Sequence, residues 1–131
     1  MTCDRRTAWA GPLLLLVIAV VAVVSAGCGS SSSKESGSPP LPTGRLANDA
    51  EVRHGREIFT ESCATCHGVS GGGGLGPSFN DGKLLKDFST IDAQVEFVKH
   101  GRGVMPPFAN SFSDAQIRAV VRYEREVLSK R

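Results

Sequence analysis

Cys63-Ala64-Thr65-Cys66-His67 brings two thiols and an imidazole together in one short run. Cysteines about one helical turn apart lie on one side of the backbone, where both can add to the vinyl groups of a single porphyrin. The adjacent histidine can then face the iron. The spacing therefore reads as a covalent haem attachment site. A C-x-x-C pair also serves thioredoxin-like redox centres and half-sites for zinc. The first needs a βαβ pattern and the second another Cys/His pair at zinc spacing, and the chain offers neither. Cys3 and Cys28, the other two cysteines, flank an apolar block, so no pair remains for a structural disulfide.

The motif supplies one axial ligand, and a second, where the iron site is closed, comes from elsewhere in the chain. Met105 is the candidate, in the loop Gly103-Val104-Met105-Pro106-Pro107-Phe108, and the only other methionine is Met1. Packing in a core is the usual fate of a methionine, but this one stands in a proline-flanked loop, extended because residues before proline avoid the helical region. An imidazole and a thioether on one iron favour the reduced metal. With both axial positions filled there is no place for a substrate, which leaves outer-sphere electron transfer. His100 is the rival ligand, although a histidine near a helix end more commonly meets the terminal carbonyls. His54 reads as a solvated surface residue.

The elements that must position these groups read as helices. Asn48 followed by Glu51 resembles a capping box, and Val52, Gly55, Phe59 and Ser62/Cys63 recur at helical spacing, so a first helix runs from about Asp49 into the haem motif. Gly55 inside that helix costs about 1 kcal/mol relative to alanine and signals close approach by another element. Gly68 to Gly76 is a glycine-rich loop. Its Gly71-x-Gly73-x-x-Gly76 matches the dinucleotide fingerprint, but no strand precedes it and no βαβ unit surrounds it. A loop without side chains suits close wrapping of a flat porphyrin instead. Gly76-Pro77 then fixes the backbone, and Phe79 supplies apolar cover. After Leu84, Leu85 and Phe88, Ser89 or Thr90 caps a second helix with Ile91, Val95 and Val98 inward, stopped by Gly101 and Gly103. Ser113 to Gln116 is a capping box opening a last helix, with Ile117, Val120, Val121, Val127 and Leu128 inward and Tyr123 on a neighbouring stripe. No segment reads as a strand.

From about Leu46 to the C-terminus the chain resembles a class I c-type cytochrome domain, a small monohaem electron carrier. Gly55, Phe59, Cys63, Cys66, His67, Pro77, the Met105-Pro106-Pro107 loop and the terminal helix with Tyr123 carry the resemblance, in the family's order. It implies an all-α cytochrome c fold in which the first and last helices cross near Gly55 and enclose one covalent haem c. It further implies thioethers at Cys63 and Cys66, His67 and Met105 as axial ligands, and a Pro77 carbonyl orienting His67, with Phe59 and Phe79 also against the cofactor. A one-electron carrier in an envelope or respiratory chain is the function this implies, with redox proteins as partners. An open-site haem enzyme or gas sensor, or an electron-transfer subunit of a larger oxidase or dehydrogenase, remains the alternative.

The rest of the 131 residues concerns location. Arg5 and Arg6, an apolar run from Leu13 to Val24, and Ser25-Ala26-Gly27-Cys28 make residues 1–27 a secretory signal of lipoprotein type, with lipid on Cys28. The alternative is an uncleaved membrane anchor, since Ala8 to Gly27 approaches the roughly 20 residues that span a bilayer. Lipidation leaves the mature chain without a free thiol, whereas an anchor leaves Cys28 exposed in an oxidising compartment. Residues 28–45, rich in serine and proline, cannot bury a core and read as a tether to a folded unit spanning 46–131. Either arrangement places that unit at the outer face of a bacterial cytoplasmic membrane, in the cell envelope. The net charge is +2, and +1 once residues 1–27 are removed, too balanced to suggest nucleic acid.

Overall fold

The computed structural model describes residues 37–130, and these are helical, with no strand among them. Helix α1 (Ala50–Ile58) begins at Asp49, whose carboxylate accepts the Val52 N–H at 3.1 Å. The cap thus lies one residue beyond the Asn48 suggested by sequence. Asn48 closes a 3-10 turn (Gly44–Asn48), and Asp49 is the extended residue from which a side chain can reach back to the helix. After α1 the backbone widens into a π turn (Phe59–Cys63), closed by the Ala64 N–H on the Phe59 carbonyl, and then tightens into α2 (Ala64–His67). Such π turns recur at functional sites, and this one delivers the first cysteine of the motif.

The short α3 (Leu84–Asp87) leads to α4 (Ile91–His100), capped by Thr90, whose hydroxyl accepts the Ala93 N–H at 3.1 Å. Helix α5 (Asp114–Tyr123) opens with the expected capping box: Ser113 Oγ accepts the Gln116 N–H at 3.3 Å, and Gln116 Oε1 accepts the Ser113 N–H at 3.0 Å. It continues into a second π turn, Glu124–Leu128.

Helices α1 and α5 form the main packing pair, and they meet at Gly55. A Cβ there would lie 2.5 Å from the Ala119 carbonyl carbon and 3.0 Å from the Val120 nitrogen, so nothing larger than hydrogen lets the two backbones approach this closely. Around the crossing, Val52, Phe59, Val120 and Tyr123 are buried with Ile58, Phe79, Leu84 and Leu128. Burying each large apolar side chain contributes about 1.5–3 kcal/mol. A second cluster, Val95, Val98, Ile117 and Val121, sits between α4 and α5, and Phe112 packs against both clusters. Arg122 ties the ends of the crossing helices together, bonding Asp49 at 2.9 Å, Glu51 at 2.6 Å and Glu126 at 2.8 Å.

Two sequence expectations change. Tyr123, assigned to a side stripe, is fully buried, because its ring packs against Phe59 and its hydroxyl reaches the Pro40 carbonyl. Val127, assigned inward, is only half-buried, because the π turn that follows Tyr123 shifts the register of the faces beyond it. The proline end of the proposed tether is also docked on the domain. Pro39 and Pro42 are buried, the Tyr123 hydroxyl donates to the Pro40 carbonyl at 2.7 Å, and Arg56 Nε donates to the Pro39 carbonyl at 2.9 Å. Packing therefore reaches back beyond Leu46 to Pro39. The signal or anchor segment and Cys28 lie outside the described residues. Among the described residues no helix is long and apolar enough to cross a membrane.

Candidate haem-binding site

The π turn and α2 together place Cys63, Cys66 and His67. Both cysteines are free thiols, Cys63 half-buried and Cys66 exposed. Burial, then the nearby Glu124 carboxyl, then Cys66 push the Cys63 thiol far above its ordinary value. A thioredoxin-like pair works by lowering a thiol's pKa to expose a thiolate, so the environment here opposes that alternative. Among the described residues no group of three or more His, Cys, Asp or Glu side chains is placed to hold a metal ion by itself.

His67 is buried, and its orientation is set from two sides. Its Nδ1 lies 3.0 Å from the Pro77 carbonyl. A carbonyl only accepts, so Nδ1 carries the proton and Nε2 keeps its lone pair, the tautomer a metal-ligating imidazole needs. Phe79 stacks on the ring at 4.5 Å between centroids, and Phe59 meets Phe79 edge-on at 6.1 Å. Phe79 and Phe59 thus brace the imidazole within the core. On the other side Gly76 presses against the ring: a Cβ there would sit 2.6 Å from His67 Cε1.

The glycine-rich loop does this work with its backbone. The Gly73 N–H donates to the His67 carbonyl and the Gly76 N–H to the Cys66 carbonyl, each at 2.8 Å, which satisfies the last carbonyls of α2. Phe79 N–H donates to the Gly71 carbonyl at 2.7 Å, bringing Phe79 under the histidine.

Met105 belongs to the second cluster, half-buried against Val95, Val98, Ile117 and Val121 with Phe108 and Phe112. Its loop is pinned by reciprocal backbone bonds with Arg102, 3.0 and 3.1 Å, the one isolated bridge among the described residues. Gly101, at φ +65°, turns the chain back so that the Met105 and Pro106 carbonyls lie where a Cβ would collide with them. His100, the rival ligand, is exposed, with Nδ1 2.9 Å from the Glu96 carbonyl of its own helix. His54 is exposed beside Glu57.

These observations fit a haem. Two free thiols, an imidazole with a committed tautomer and a loop methionine on apolar packing are the groups that would hold it. The sequence missed one polar feature of the site: buried Glu124, whose carboxyl lies close enough to raise the Cys63 thiol and accepts a 2.7 Å hydrogen bond from buried Gln94. The signal was a charged residue at an inward position of the last helix.

Comparison with known proteins agrees. Residues 50–123 match the family model described as cytochrome c oxidase, cbb3-type, subunit III. The chain belongs to this cytochrome c family. This c-type cytochrome is 37% identical over 81 residues to cytochrome c6 of Leptolyngbya boryana, covering 56% of the chain and 89% of that relative. It is also 34% identical over 94 residues to the cbb3-type oxidase subunit CcoP of Rhodobacter capsulatus, covering 62% of the chain but only 31% of that subunit. Among solved structures, cytochrome c6 of the diatom Phaeodactylum tricornutum superposes with a TM-score of 0.52 at 26% identity, covering 60% of this chain and 95% of that one. The cytochrome is thus an all-helical monohaem protein holding covalent haem c, and it carries electrons.

Proposed function

We propose that this cytochrome is a membrane-tethered one-electron carrier of the cell envelope, with Cys63 and Cys66 as thioether attachments and His67 and Met105 as axial ligands. The observation that carries the ligand assignment is the His67–Pro77 contact, which leaves Nε2 as the free lone pair. Haem c, when bound, supplies a one-electron couple. The chain's own part is to hold the imidazole rigid through Pro77, Gly76 and Phe79, to present a thioether from the Met105 loop, and to surround both with apolar side chains. The lipid at Cys28 and the location at the outer face of the cytoplasmic membrane are supported by the Ser25-Ala26-Gly27-Cys28 run and the serine-rich stretch after it.

A sulfur-to-iron absorption band at the red end of the oxidised spectrum tests the ligand set. The band is expected in the wild type and lost in Met105→Ala. Its absence from the wild type, or rapid carbon monoxide binding by the reduced wild type, would sink the closed-site assignment. Mass spectrometry of protein from native membranes separates lipidated Cys28 from an intact N-terminus.

Similarity to an oxidase subunit favours a second reading, in which the domain serves inside a larger oxidoreductase complex. Comigration of the haem with an oxidase after mild solubilisation would support that reading over a free carrier.

A further inference from the structure

Among the described residues, Glu124 is the one buried ionisable side chain that neither fold nor haem attachment accounts for. It is 4% exposed and stands at the start of the π turn that ends the last helix. The one hydrogen bond to its carboxyl group among the described residues comes from Gln94 Nε2, at 2.7 Å. Gln94, 2% exposed, cannot flip to offer its oxygen instead, because Arg125 Nη1 donates to Gln94 Oε1 at 3.1 Å and to the Phe88 carbonyl at 3.0 Å. The amide is therefore locked as a donor toward the carboxyl group, a contact that both forms of Glu124 can accept and that favours the ionised one.

Among the described residues no cation pairs with the carboxylate. On its own helix, Arg122 is engaged by Asp49, Glu51 and Glu126, and Arg125 stops at Gln94. On α4, Lys99 bonds Glu96 and Asp114, Asp92 bonds Arg118 at the surface, and His100 turns to Glu96. On α1, Arg56 reaches out to Pro39, and from the first π turn it is Cys63 that faces Glu124 electrostatically. Cys63 also packs against the cluster that holds Tyr123 and Leu128, at the two ends of Glu124's turn. Attachment to haem converts its thiol to a neutral thioether, leaving Glu124 as the chain's titrating carboxyl in that packing.

We propose that Glu124 is a redox-linked proton acceptor of this cytochrome, taking up one proton from solvent when the bound haem gains an electron and releasing it on oxidation. The inference rests on the reading of Cys63 as a haem attachment. The balance is simple: a one-electron donor protein supplies the electron, which lodges on the iron, and solvent supplies the proton, which forms the carboxyl O–H. Oxidation reverses both. Ferric iron carries one more positive charge than ferrous and so favours the carboxylate, and in a low-dielectric surround that preference is not screened. Burial already pushes the Glu124 carboxyl up to about 8, against the opposing pull of the Gln94 hydrogen bond, so the exchange falls near neutral pH.

The test uses the full, haem-loaded chain. Reduction potential is measured against pH in the wild type and in Glu124→Gln, which keeps the shape and the acceptor oxygen for Gln94. The wild-type potential is expected to fall as pH rises around the Glu124 value of about 8, by up to one proton per electron, and the variant to lose that slope. A merely structural role would shift the whole curve and leave its slope intact. An infrared difference spectrum, reduced minus oxidised, needs no variant: a protonated carboxyl band, shifted in deuterium oxide, is expected on reduction of the wild type. An unchanged slope in Glu124→Gln, or no carboxyl band in the wild type, would overturn the proposal while the sulfur-to-iron band still upheld the carrier. A chain without covalent haem would overturn both.

Discussion

Replacing Gly55 by alanine sets two effects of opposite sign against each other. Local propensity alone says that the variant gains about 1 kcal/mol, because glycine inside a helix is that much worse than alanine. The tertiary contact says otherwise. The new Cβ would lie 2.5 Å from the Ala119 carbonyl carbon and 3.0 Å from the Val120 nitrogen, both backbone atoms of the opposing helix. Carbon–carbon contacts are comfortable at about 3.5–4.0 Å, so the helices must part by roughly 1 Å. A gap of that size forfeits about a quarter to a half of each dispersion contact across the crossing, where Val52, Phe59, Val120 and Tyr123 are packed. Overpacking costs about 1–3 kcal/mol before that loss is counted. The net expectation is a destabilisation of about 2 kcal/mol, a fall of roughly 10 °C in Tm for a domain of this size. Thermal unfolding of the haem-loaded protein, followed by far-ultraviolet circular dichroism, reads it directly. Gly37→Ala, where nothing lies within 4 Å of the added carbon, is the control. A Gly55→Ala protein as stable as the wild type, or more stable, would refute the close crossing and leave helix propensity as the stronger term.

Other perturbations have equally definite outcomes. Ser113→Ala removes the α5 capping box and should cost about 1 kcal/mol, visible as a Tm lowered by about 5 °C, with an unchanged Tm arguing against the cap. Tyr123→Phe deletes the hydrogen bond to the Pro40 carbonyl, worth about 1 kcal/mol, and should speed tryptic cleavage after Arg45; equal cleavage rates would mean that the bond does not hold the proline segment. Stability should depend on pH through Glu124. Its folded value, about 8, is above the unfolded carboxylate value of about 4.3. The folded state thus binds the proton more tightly, so this stabilisation is complete below the unfolded value, declines as pH rises toward the folded one, and is gone above it. The Tm of the wild type is expected to fall across that window and that of Glu124→Gln to stay flatter, and parallel curves would count against a protonated Glu124.

Much of this protein was legible because its chemistry is local. Cys63, Cys66 and His67 are adjacent in the chain, so their spacing alone names the cofactor, and the caps at Thr90 and Ser113 declare themselves within three or four residues of the groups they bind. Gly55 was readable as an anomaly, a helix breaker inside a helical pattern, although only the packed structure shows that it meets the backbone at Ala119. Contacts between residues far apart in the chain were not readable. No periodicity ties Tyr123 to Pro40 or Gln94 to Glu124, and the two π turns, each one residue out of step with an ideal helix, rotate the faces that a 3.6-residue pattern assigns. By itself the sequence determined which cofactor the chain holds and which helices surround it. Tertiary structure alone decided the tautomer of His67, because the Pro77 carbonyl reaches Nδ1 only once the glycine loop has folded over α2, and the burial of Glu124, because desolvation belongs to the packed core and not to any residue.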